Sequence, residues 1–156
     1  MSDADVEALI EPEPFAKGTA RLAYRLKNDP EAIVKKSILP RNFSNILEWT
    51  IWLGVEHHDR LAMILGRCHC LSTTGLYLIM ECLDDIGEDD YRLVPDIPVW
   101  CNDRKPSAFG KRNGQIKVRD YGMVHFDDLL NLNLGKPPAF AVNAQMSASL
   151  EASRRS

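Results

Sequence analysis

No run of apolar residues in this sequence is long enough to cross a bilayer. With a mean hydropathy of −0.24, a soluble chain without a membrane partner is expected. Basic charge is not in excess either: 19 Lys and Arg stand against 22 Asp and Glu, a net charge of −3, with a pI near 5.8. The clusters Lys35-Lys36, Arg104-Lys105 and Lys111-Arg112 do not add up to a field that would draw in a phosphate backbone, so nucleic acid is not the expected partner. The opening MSDADVEALIEPEP lacks the basic segment and apolar core of a secretory signal, and a cytoplasmic address is expected. Cys68, Cys70, Cys82 and Cys101 then read as reduced thiols. Cys68-His69-Cys70 lacks the second ligand pair that zinc spacing requires, and reads as a strand with alternating side chains.

What is present suits one compact α+β domain. Residues 1–14, with Pro12, Pro14 and five acids, read as a flexible lead-in. Alternation around Leu22, Tyr24 and Leu26, the turn Asn28-Asp29-Pro30 and then Ala32-Ile33-Val34-Lys35 predict a strand, a turn and a strand. Apolar residues at 43, 46, 47, 51, 52 and 55 predict a helix over 43–55, capped by Asn42 or Ser44. Glu48 lies one turn before Ile51 and Trp52 and two before Val55, so its carboxylate is expected to face the packed side and to need a cation.

Residues 64–71 and 76–83 read as two further strands around the turn Ser72-Thr73-Thr74-Gly75. The acidic stretch 84–98 reads as a connection, and Asn113-Gly114 as a hairpin turn joining 109–112 to 115–119. Phe126–Leu134 reads as a short helix, and 135–156 as a disordered tail. His57 and His58 read as a solvated helix end, and Trp49, Trp52 and Trp100 as packing residues.

The most specific segment is Asn102-Asp103-Arg104-Lys105-Pro106-Ser107, followed seventeen residues after Asp103 by Asp120-Tyr121-Gly122, with the hairpin between. A tight hairpin would turn carboxylates at its two ends toward one cleft, one for a substrate hydroxyl and one for magnesium. This order resembles the catalytic loop and metal motif of the protein kinase-like superfamily, and short divergent chains of this style are similar to ones found in bacteriophages and bacteria. The resemblance covers residues 15–122. It implies a small lobe at 15–83, an antiparallel sheet with one helix, and a reduced large lobe at 84–134 holding the catalytic-loop hairpin.

The resemblance further implies ATP and Mg2+ as cofactors, with Asp103 as base, Lys105 steadying the transferred phosphate and Asp120 holding magnesium. Lys35 would lie on the phosphates, paired with Glu48, with Lys36 as rival one residue along the strand. Gly18 would belong to the phosphate cover, and the backbone of Glu81 to Leu83 would meet the base. Three departures stand out. Ala108 replaces the second metal-binding Asn, Cys101-Asn102 replaces the usual His-Arg, and only 34 residues follow Gly122. Two functions are therefore expected: a minimal phosphotransferase acting on a protein substrate, in the host cytoplasm if phage-encoded, or a pseudokinase that binds and modulates a partner protein.

Overall fold

The computed structural model of the chain describes residues 1–101, 103, 105–122 and 140–141. The fold is α+β and divides into two compact units, Met1–Cys82 and Leu83–Ser156. The first unit contains α1 (Asp3–Leu9), β1 (Ala16–Lys17), β2 (Arg21–Arg25), β3 (Ala32–Ser37), α2 (Ser44–Val55), α3 (Asp59–Ile64), β4 (Cys68–Leu71) and β5 (Tyr77–Glu81). Its strands form one five-stranded sheet in the order β1-β2-β3-β5-β4, antiparallel at every pairing.

Strand alternation divides the first unit into two packed faces. On one, Tyr24, Val34 and Ile79 stand opposite one another and form a core with Ala32, Tyr77 and Val6 of α1. On the other, Ala23, Lys35 and Leu78 are opposite one another, and α2 lies there, burying Asn45, Glu48, Ile51, Trp52 and Val55. The strand at 21–25, the strand from Ala32 and the helix ending at Val55 agree with the sequence reading. The cap expected from Asn42 or Ser44 is instead Phe43, which makes no side-chain cap; Asn42 Oδ1 accepts from Ser44 N–H in a local turn just before the helix.

Two expectations about the course of the chain in the first unit need correction. Residues 1–14 are not a bare lead-in: α1 starts with a capping box in which Ser2 and Asp5 satisfy each other's backbone N–H groups, and Val6 is fully buried on the sheet. Ile10 then bridges to Leu26, and Met1 O accepts from Thr73 N–H. The strand expected from Ile64 begins at Cys68 instead, because 59–64 is the short helix α3. His58 Nδ1 accepts from Leu61 N–H to start it, while Leu61 and Ile64 bury one face at helical spacing. The unit thus has three helices rather than one.

In the second unit, β6 (Ile97–Pro98) pairs with β9 (Phe140–Ala141), so the tail expected to be disordered contains a strand. The hairpin β7 (Phe109–Arg112) and β8 (Gln115–Val118) turns through Asn113 and Gly114, at φ 51 and 77, as the two-residue hairpin loop requires. Short 3-10 helices occupy 88–93 and 106–108. The helix expected at 126–134 lies outside the described residues. Among those described, no helix is long and apolar enough to cross a membrane.

Candidate functional site

The first unit assembles its candidate residues around Glu48. Period-two alternation turns Lys35 toward α2, where its ammonium donates to both Glu48 oxygens at 3.0 and 3.2 Å. Lys36 faces the opposite side, 3.9 Å from Glu7 and over the Tyr77 ring, which settles which of the two lysines meets Glu48. There, burial first and then the bond to Glu7 push the Tyr77 phenol well above its ordinary pKa.

The sequence reading missed the second cation on Glu48. Arg21 donates Nη1–H to one Glu48 oxygen at 2.9 Å and Nη2–H to the other at 3.0 Å, and reaches Asn45 Oδ1 at 3.2 Å. Arg21 and Lys35 are diagonal neighbours on one sheet face, since Arg21 pairs with Ser37 and Ala23 with Lys35. That signal needs the strand register as well as the strand. The Glu48 side chain is 0% exposed, with Arg21 at 11% and Lys35 at 10%. Asn45, equally buried, ties the helix to the sheet by donating to the carbonyls of Lys35 and Leu76.

The turn after β1 holds Gly18, whose N–H donates to Arg21 O at 2.8 Å. Gly18 has no left-handed φ, and a Cβ there would meet nothing closer than 3.5 Å, so the fold itself does not demand glycine. At the end of β5, Met80 is fully buried and Glu81 nearly so. Two of the backbone donors considered for a base are already engaged: Glu81 N–H with Arg67 O and Cys82 N–H with Glu31 O.

In the second unit the hairpin brings its two ends together. Arg119 N–H donates to Ala108 O at 2.8 Å, immediately beyond the Phe109 and Val118 pair. The segment carrying Asp103 and Lys105 therefore leads into the strand that lies against the approach to Asp120. Asp103 is half-buried, and its Oδ1 accepts from Lys105 N–H at 3.2 Å, while the Lys105 side chain is exposed. Asp120 is half-buried beside the fully buried Tyr121. Ala108 is buried in the 3-10 turn, its N–H bound to Lys105 O. Asn102 and Arg104 lie outside the described residues.

Arg119, also absent from the sequence reading, clamps this unit by donating to Ser107 O at 2.9 Å and Leu83 O at 3.3 Å and pairing with Asp85 at 2.7 Å. The 83–84 segment comes so near β7 that a Cβ on Gly110 would sit 2.5 Å from Leu83 Cβ and 3.0 Å from Asp84 O. Among the described residues there is no group of three or more His, Cys, Asp or Glu that could hold a metal. No protein-family model matches the chain, and no curated protein matches it.

Proposed function

We propose that the chain is a minimal protein kinase-like phosphotransferase that uses ATP and Mg2+ to modify a protein substrate. The observation that carries this reading is the pair Lys35 and Glu48: a lysine on the third strand of an antiparallel sheet, 3.0 Å from a fully buried glutamate on the next helix. Protein kinases hold the nucleotide phosphates with a strand lysine paired to a helix glutamate in this order along the chain. The hairpin that brings Arg119, the neighbour of Asp120, against Ala108, five residues after Asp103, supports it independently.

The donor set suits the cofactors. Magnesium is commonly held by one or two carboxylates plus phosphate oxygens rather than by an all-protein cage, and Asp120 offers such a carboxylate. When bound, the ion supplies positive charge to the phosphate oxygens. Lys35 then contributes a fixed cation to the phosphates, Gly18 lies in the turn that covers them, and the backbone of Leu83 is offered to the base, the N–H groups of Glu81 and Cys82 being engaged elsewhere. Asp103 would accept the proton of the acceptor hydroxyl as the hydroxyl oxygen attacks the γ-phosphorus, the displaced bridging oxygen keeping the electron pair of the broken bond as part of ADP. Lys105, whose side chain is exposed, steadies the group in transfer.

A second reading is a pseudokinase that binds and modulates a partner protein. It draws on the outer side of α2, where the helix's one charged residue, Glu48, is turned inward while Phe43, Ile46 and Leu53 are exposed. Transfer of label from γ-labelled ATP to the chain itself or to a cell lysate separates the two. The first reading expects transfer that Asp103→Asn abolishes while ATP still binds. Folded, ATP-saturated wild type that transfers nothing supports the second.

A further inference from the structure

Neither reading gives Arg21 a task, yet its guanidinium binds both Glu48 oxygens and Asn45. It is the first residue of β2, directly after the Gly18–Ala20 turn, and its carbonyl closes that turn by accepting from Gly18 N–H. Its side chain runs to α2, where Nη1 and Nη2 take the two Glu48 oxygens and Nη1 also reaches Asn45. Asn45 and Glu48 are one turn apart, so a single guanidinium grips two successive positions on one helix face.

The geometry of that grip matters more than its charge. An ammonium is a point charge that leaves a carboxylate able to rotate, whereas a guanidinium fork on both oxygens fixes the carboxylate plane. Lys35 meets the same two oxygens, so the plane that Arg21 fixes is also the one that orients the lysine. With both terminal nitrogens bonded to α2 and the side chain only 11% exposed, Arg21 is placed to hold other groups.

We propose that Arg21 is a positioning residue that ties the Gly18–Ala20 turn to α2, setting that turn and the Lys35 ammonium in fixed relation without itself touching the nucleotide. The tether stands on the geometry of the first unit alone; its effect on nucleotide affinity rests on the function proposed above.

The test compares wild type, Arg21→Lys, Arg21→Ala and Lys35→Ala in the full chain. Amide hydrogen exchange is followed at residues 17–20 and 44–48, and Mg2+-ATP binding by calorimetry. The tether predicts that both Arg21 variants exchange faster at 17–20 and 44–48 together, while the β3–β5 pairing keeps its protection. It also predicts that Arg21→Lys, despite its retained charge, binds Mg2+-ATP about tenfold more weakly, the scale of one lost charged hydrogen bond. Should Arg21→Ala not fold, Arg21→Gln carries the same comparison. Wild-type affinity in Arg21→Lys beside lost binding in Lys35→Ala would overturn the positioning role and leave the function standing. If the wild type binds no Mg2+-ATP, the function and the affinity half of the inference fall together, and unchanged exchange at 17–20 overturns the tether itself.

Discussion

Replacing Glu48 by alanine would remove the carboxylate that Arg21 and Lys35 share and leave both cations in a site where their side chains are 11% and 10% exposed. Removing one partner of a buried ion pair costs about 3–5 kcal/mol, because the remaining charge has lost both water and counter-ion. The unit concerned is Met1–Cys82, and in a domain of that size 1 kcal/mol moves the melting temperature by about 4–8 °C. Glu48→Ala should therefore lower it by more than about 10 °C in a calorimetric scan at neutral pH. Glu56→Ala is the control: Glu56 is exposed and lies 3.6 Å from His57, itself 93% exposed, so a change within about 0.5 kcal/mol is expected. Exchanging all three charges together, Arg21→Leu, Lys35→Met and Glu48→Leu, should recover most of the lost stability, since apolar residues of similar volume replace buried ion networks at little cost. The same triple variant should bind no Mg2+-ATP, which separates the structural from the functional use of the site. Equal melting temperatures for Glu48→Ala and Glu56→Ala would refute the reasoning.

Gly110→Ala should destabilise the second unit by about 1–3 kcal/mol, because its Cβ would collide with Leu83 and Asp84, and denaturant melts monitor it. Gly18→Ala should leave the melting temperature unchanged, since its Cβ meets nothing closer than 3.5 Å; weaker ATP binding in that variant would then report the phosphate cover. Asp120→Asn should abolish magnesium-dependent nucleotide binding while far-ultraviolet circular dichroism stays native. The Asp90 carboxyl is held below its usual 3.8 by the Gly87 N–H first and the Lys111 side chain next. A depressed folded-state pKa contributes stability that is full above the unfolded value and is lost as pH falls through the folded one. Acid titration of the melting temperature should therefore fall off less steeply below about pH 4 in Asp90→Asn than in wild type.

Local periodicity made much of the first unit legible. Helical spacing alone turned Glu48 inward, and the apolar triplet before Lys35 placed that lysine on a strand, so their meeting followed once strand and helix packed together. Asn113-Gly114 marked its hairpin for the same local reason. The failures had other causes. Helix α1 was hidden by the acids and prolines around it, although Ser2 and Asp5 carried a capping signal in plain view. The run from Ile64 was ambiguous because short apolar stretches fit a strand or a buried helix end equally well. Arg21 and Arg119 depend on pairings between distant segments, Arg21 with Ser37 and Arg119 with Ala108 and Leu83, and no local pattern encodes those.

The measurement that bears most directly on the central claim is calorimetric titration of the full chain with ATP, with and without magnesium. The account predicts saturable, magnesium-dependent binding that Lys35→Ala and Asp120→Asn each remove while both variants remain folded. Folded wild type that takes up no ATP in the presence of magnesium, or variants that bind it as tightly as wild type, would contradict it.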